Sequence, residues 1–216
     1  MAPNASGADL PLGPLPAGGR SGDALRDYGQ LAFAVKNDIN DRLSYAIILD
    51  QPFGADMVYD TGGSVNLGET SAQARAKALT ALLRYKLDNR LSVHAGPRLQ
   101  RSDGKVALGG VAYGAVNGYS VTLGDDLAWG YALGAAYEVP GRDLRIALTY
   151  NSNVMHRFTT TESGPLVDPD AGGPTQVTTP KSVNLDLQTS VGEDLMLFGR
   201  VVGPSGAHSV LPRTSE

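Results

Sequence analysis

Cysteine is absent from the 216 residues, which removes disulfides, thiolate metal sites and cysteine nucleophiles together. No apolar run approaches the length of a helix able to cross a bilayer, so a helical membrane protein is excluded. A barrel is not, because its spanning segments are short and only half apolar. Basic residues are not in excess: the formal net charge is −4 and the sequence pI about 5.3, which gives no electrostatic reason to expect a nucleic-acid partner. Charged residues make up only 19% of the chain, against 27 glycines and 13 prolines, a balance that favours strands and turns over helices. The opening MAPNASGADLPLGPLP has neither a basic n-region nor an apolar h-region, so no secretory signal is expected in the chain as given.

What is present is alternation. In SVNLDLQTSVGEDLMLFGRVV, residues 182–202, Val183, Leu185, Leu187 and Thr189 fall on one side and Asn184, Asp186, Gln188 and Ser190 on the other. A period of two over eight residues marks a strand with one apolar and one polar face. Gly192-Glu193-Asp194 turns the chain, and Leu195, Leu197 and Val201 resume an apolar side next to Met196, Phe198 and Arg200. Amides and a carboxylate at strand centre leave two arrangements. Either the aliphatic side packs on a second sheet, as in a soluble β-sandwich binding module, or it faces lipid while the polar side lines a wet lumen.

Taken in order, residues 1–27 carry Pro3, Pro11, Pro14 and Pro16 and read as a loop or disordered arm. Tyr28 to Lys36 and Leu43 to Gln51 alternate on either side of a turn-forming run, and residues 52–70 read as a long polar loop. For residues 71–87, Ala, Leu, Arg and Lys favour a helix, with Thr70 and Gln73 as a capping box. Leu79, Ala81, Leu83, Tyr85 and Leu87 alternate as a strand does, and the strand is the preferred reading. Leu91 to Arg101 alternates cleanly, with Pro97 predicting a bulge or a locally unpaired position. Residues 102–126 hold a short strand at Tyr119 to Leu123; strands follow over 127–139 and 144–150; residues 156–181 read as a second long loop. Residues 204–216 read as a disordered tail.

Short turns near residues 39, 89, 141 and 193 alternate with connections of very different length. A sandwich shows turn signals every ten residues or so, whereas an outer-membrane barrel has tight turns on one side and long loops on the other. Trp129, Tyr131 and Tyr137 stand near the two ends of their strand on its apolar face, where interface aromatics sit. Exchanging the faces would point Arg98 and Arg145 into hydrocarbon, at roughly 2–4 kcal/mol each near the midplane. The expected fold is therefore all-β, an antiparallel transmembrane β-barrel. His94, Arg98, Gln100, Arg145, Asn184, Asp186 and Gln188 are its candidate lumen-lining or substrate-path residues.

Four stretches, NDINDRLSYAIILDQPFGADMVY, LSVHAGPRLQRSDGKVAL, WGYALGAAYEVPGRDLRIALTYNSNVMH and PKSVNLDLQTSVGEDLMLFGRV, resemble segments of the FadL-type long-chain fatty-acid transporters of the bacterial outer membrane, and they follow the family's order. The resemblance implies a barrel of about fourteen strands with an N-terminal hatch, and passive uptake of long-chain fatty acids or other hydrophobic compounds. It also implies outer-membrane lipid and the barrel-insertion machinery as partners. This chain shows no Asn-Pro-Ala hatch motif and no terminal aromatic. The expectation is thus about eight strands over residues 28–203, a middle piece of the family barrel, with the hatch and the last strands missing. A self-closed eight-stranded structural barrel is the variant reading.

Nothing in the sequence asks for a cofactor or for enzymatic chemistry. His94, His156 and His208 have no ligand spacing and read as surface or lumen histidines. Gly109-Gly110 through Gly118 lacks the lysine and hydroxyl of a phosphate loop. No G-x-S-x-G elbow occurs, and Asp168 and Asp170 lack the glycine and glutamate of a calcium loop.

Overall fold

The computed structural model describes residues 23–26, 29–60, 64–139, 144–168, 171–191 and 195–205. Eleven antiparallel strand segments make a single sheet: β1 (Phe33–Asp38), β2 (Leu43–Asp50), β3 (Gly54–Val58), β4 (Ser71–Lys86), β5 (Leu91–Ala107), β6 (Ser120–Val139), β7 (Leu144–Asn151), β8 (Val154–Ser163), β9 (Gly172–Thr179), β10 (Lys181–Val191) and β11 (Leu195–Ser205). Three pairs are continuations of one ribbon. β2 runs into β3 across a one-residue bulge, since Asp50 pairs with Ala78 and Gly54 with Arg75. β7 runs into β8 at Ser152-Asn153, and β9 into β10 at Pro180. The wall therefore consists of eight ribbons joined neighbour to neighbour, β1 at one edge and β11 at the other. Among the described residues β1 and β11 do not pair, so the sheet is open and the self-closed eight-stranded variant is not what forms.

Among the described residues the sheet has no second layer. Val183, Leu185 and Leu187 are 37, 44 and 44% exposed, as are many other large apolar side chains, including Leu83, Val93, Leu133 and Leu148. Buried positions go instead to small or polar residues: Ala78, Ala132 and Ala136 beside Thr80, Ser92, Arg98 and Gln100. A water-soluble sandwich would invert this distribution. The apolar face looks outward and the polar face inward, which is the arrangement of a sheet solvated by hydrocarbon.

Residues 71–87 form strand β4 and not the helix that their composition favours. The reason is tertiary. β2 and β3 bond β4 on one side and β5 on the other along nearly its whole length, and the alternation lets Ala76, Ala78 and Thr80 tuck inward while Leu79, Leu83 and Tyr85 face out. Pro97 sits in the middle of β5, where the β4 ladder lapses between Thr80↔Arg98 and Leu83↔Ala95 without a change of register. The missing N–H is absorbed by an unpaired position, not a bulge. The neighbouring Gly96 is required here, because a Cβ would fall on the Ala81 carbonyl.

Both connections read as long loops contain strands. Residues 52–70 include β3, and an isolated bridge from Leu25 to Met57 adds part of the supposed N-terminal arm to its other edge. Residues 156–181 are largely β8 and β9. Pro174 is tolerated because, among the described residues, β9 pairs only with β8, leaving an edge that needs no donor. β5 extends to Ala107 and β6 begins at Ser120, with a short 3-10 helix, Val111–Val116, between them. β11 continues through Ser205, two residues into the stretch read as tail; residues 206–216, like the predicted turns at 140–143 and 192–194, lie outside the described residues.

Turns differ at the two ends. Asn40 Oδ1 accepts from the Arg42 and Leu43 N–H groups at 3.0 and 2.8 Å, and Asp88 Oδ1 accepts from those of Arg90 and Leu91 at 2.7 Å. Each side chain mimics a backbone turn and closes its hairpin tightly. Connections at the other end are longer, as from Leu108 to Tyr119. The 20 residues of β6 reach about 66 Å along the strand, far more than a tilted span of a bilayer needs. Its loop-end portion therefore projects beyond the apolar band.

Candidate functional site

The curled sheet curves around a hollow of about 860 Å³, lined by residues from β1 and β2 through to β10 and β11. Six of the seven candidate residues line it: His94, Arg98, Arg145, Asn184, Asp186 and Gln188. Each is placed by the same rule, an even or odd position in its strand whose neighbours carry the outward apolar side chains.

Two ionic groups dominate the wall. Arg98 reaches Asp50 on β2 at 3.3 Å and Asn151 on β7 at 3.3 Å, so one guanidinium spans the hollow between ribbons that are not neighbours in the sheet. Asn151 in turn donates to the Ser182 hydroxyl at 3.2 Å. Nearer the tight turns, Arg84 donates to Glu138 Oε1 at 2.6 Å and to the Ser92 hydroxyl at 2.9 Å. Arg145 Nε lies 3.3 Å from the same Glu138 oxygen but off hydrogen-bond geometry. Glu138 is thus shared by two arginines. His94 contacts the Thr149 hydroxyl at 3.0 Å through Nε2. Its ring lies across Gly134, where a Cβ would come within 2.6 Å of Nε2. Thr80 Oγ1 and Asn184 Oδ1 are buried acceptors without a hydrogen-bond partner, facing the same hollow.

Gln100 does not line the hollow. Its amide lies 3.2 Å from His156 Nε2, and Ser102 Oγ 3.3 Å from the same nitrogen. His156 Nδ1 lies 2.8 Å from Asp126 Oδ2. A carboxylate only accepts and an amide nitrogen only donates, so the ring is protonated at Nδ1 and accepts at Nε2. His156, read as a surface or lumen histidine, is instead wholly buried and stacks on Phe158 with centroids 5.5 Å apart. The cluster closes a seam. β6 and the β7–β8 ribbon make no ladder pairs between residues 124–131 and 152–159. Apart from the Ser152 N–H, which donates to the Tyr131 carbonyl at 2.9 Å, side chains bridge the lapse: Asp126 also accepts from the Arg157 N–H at 3.2 Å, and Ser152 Oγ from the Tyr131 N–H at 2.9 Å.

On the outward face Trp129, Tyr131 and Tyr137 are all exposed. Tyr131 meets Tyr150 with centroids 6.1 Å apart. Tyr85 and Tyr137 stand near the turn end, Trp129 near the loop end, with the aliphatic band between. Sequence reasoning missed Asp50, Arg84 and Glu138, the ionic partners. Arg84 belongs to the polar side of the β4 alternation with Thr80 and Lys86, a side that Leu82 breaks, and its inward position was the available signal. Among the described residues no group of three His, Asp or Glu side chains could hold a metal ion, and no helix is long and apolar enough to cross a membrane.

The sequence matches the family described as Outer membrane protein transport protein (OMPP1/FadL/TodX) over residues 28–191. No curated protein matches it. The fold is similar to the crystal structure of a Pseudomonas aeruginosa FadL homologue, with a TM-score of 0.67 at 16% identity, covering 88% of this chain and 51% of that one. It is also similar to the Ralstonia pickettii toluene transporter TbuX, with a TM-score of 0.52 at 15% identity, covering 82% and 55%. The chain thus spans about half the length of these structures. With an outward apolar band, an inward ionic wall and this match over most of its length, the chain belongs to the FadL/TodX family of outer-membrane proteins.

Proposed function

We propose that the chain forms part of the wall of a channel for passive uptake of hydrophobic small molecules across the bacterial outer membrane, with fatty acids as the substrate class. The observation that carries this reading is the inside-out partition: aliphatic side chains exposed around a hollow of about 860 Å³ whose wall is polar. An inert structural barrel would need no such hollow. The 55% of TbuX that the chain covers belongs to a protein described as a toluene transporter, which supports uptake of an apolar cargo.

In this reading His94, Arg98, Arg145, Asn184, Asp186 and Gln188 keep the wall wet and hold whatever plugs the lumen, while Gln100 braces the wall behind them. The arginines act chiefly as braces, since Arg98 and Arg84 already spend their donors on Asp50, Asn151 and Glu138. Arg145 has the least committed guanidinium, with a buried Nε lacking a hydrogen bond, and is the group that takes a fatty-acid carboxylate. Trp129, Tyr131 and Tyr137 sit at the headgroup level, and the barrel-insertion machinery delivers the chain there.

Uptake of radiolabelled oleate and of toluene by cells lacking endogenous transporters, with and without the complete protein that contains this chain, tests the proposal. Oleate uptake above the empty-vector rate, reduced in Arg145→Gln with toluene uptake unchanged, is the expected result. Equal uptake with and without the protein overturns it.

A further inference from the structure

On the outward face of β4 and β5 the aliphatic stripe stops at Leu79 and Leu99, which are register partners. One step toward the loop end the partners on the same face are Lys77 and Arg101, and one step further Arg75 faces Asp103. Cations directly opposite each other across two strands repel. Arg101 is relieved from its far side by Asp125 at 2.7 Å. Lys77 and Arg75 are exposed, and among the described residues neither has a carboxylate within 4.0 Å. Both also border a second hollow of about 320 Å³ beside the β2–β3 bulge, together with Gln30 and Phe53.

We propose that Arg75, Lys77 and Arg101 bind the phosphate monoester of an anionic lipid headgroup in the outer leaflet. The placement selects a lipid over a free ion. The cations stand one register step above Leu79 and Leu99, where the outward surface changes from aliphatic to charged, with the exposed Leu127 in register beside Arg101, so a phosphate held there leaves its acyl chains against those leucines. The long connections lie at this end, which makes it the extracellular side. A dianionic phosphate relieves the Lys77–Arg101 repulsion, and the carboxylates of the same patch, Asp103 and Asp125, are outnumbered by Arg75, Lys77, Arg101 and Lys105, the last exposed further along β5. Juxtamembrane cations attract anionic lipid in this way, each acting within a Debye length of the surface.

The complete protein that contains this chain, folded in neutral detergent, is titrated with lipid A, which carries two phosphates, and with phosphatidylcholine and inorganic phosphate as separate arms. Retained lipid is read by native mass spectrometry and folding by heat-modifiable gel mobility. Lipid A is expected to be retained, with retention weakened about fivefold for each of Arg75→Gln and Lys77→Gln, and unchanged in Arg42→Gln at the opposite end. In detergent without lipid, Lys77→Gln should unfold at no lower temperature than the parent, because it removes a repulsion. Unchanged retention in the double variant overturns the site. Equal retention of phosphatidylcholine, or displacement of lipid A by millimolar inorganic phosphate, overturns the headgroup assignment. The site requires only the membrane level of the rim, so its failure and a failure of solute uptake are separate results.

Discussion

Strand β5 carries two environments on one alternating ribbon. From Leu91 to Leu99 its outward residues are apolar and its inward ones, Ser92, His94 and Arg98, are buried, with His94 and Arg98 lining the ionic hollow. From Arg101 to Lys105 the outward residues are charged and Ser102 and Gly104 are buried inward. Facing is set by the period of two throughout, whereas the chemistry of each face reports the medium outside it at that height. Alternation alone thus identifies the strand, and only the residue types show where the membrane ends.

The comparison breaks most visibly if a charge is placed on the apolar half. Leu185→Arg should cost about 2–4 kcal/mol near the midplane and abolish heat-modifiable mobility, while Gln188→Arg, on the inner face, should assemble normally. Equal tolerance of both would reverse the assigned facing. In the loop-end half the corresponding vulnerability is inside. His156→Ala should destabilise by about 2–3 kcal/mol through the cavity and the orphaned Asp126 and Gln100, read as a lower unfolding midpoint in denaturant with the membrane-embedded half still protected from protease. Arg98→Ala, which leaves Asp50 and Asn151 without their shared donor, should cost about 1–2 kcal/mol and alter uptake less than it alters stability.

The smallest effect concerns the tight turns. The Leu91 and Arg90 N–H groups hold the Asp88 carboxyl below its ordinary value of 3.8. A carboxylate depressed in the folded state contributes stability that is present above 3.8 and is lost as the pH falls beneath it. Asp88→Asn should lower the unfolding midpoint slightly at neutral pH and flatten that acid limb, so that its difference from the parent closes as the pH falls from 5 to 3, as followed by unfolding midpoints.

The membrane half was legible in the sequence because hydrocarbon on one side and water on the other force strong contrast between alternate residues, as in Leu91 to Leu99 or Leu127 to Val139. The loop-end half was hard to read for the opposite reason. In β8 the inward His156 and Thr160 and the outward Arg157 and Thr159 differ little in polarity, and Pro174 and Pro180 suggested loop where an edge strand and a strand break occur. The inward direction of Arg98 and Arg145 followed from the cost of the alternative. Their partners did not, because Asp50 and Arg98 meet across the hollow from strands separated by β4, a proximity that only the curl of the sheet creates.

The lapse in main-chain pairing between β6 and β8 has a kinetic consequence. Amide protons that point into it are shielded by a handful of side chains, chiefly those of Asp126, His156 and Ser152, so they should trade for deuterium long before the amides shared between β5 and β6. Fraying of the cylinder wall would then begin above the bilayer and travel downward, leaving the lipid-embedded collar the last part to let go.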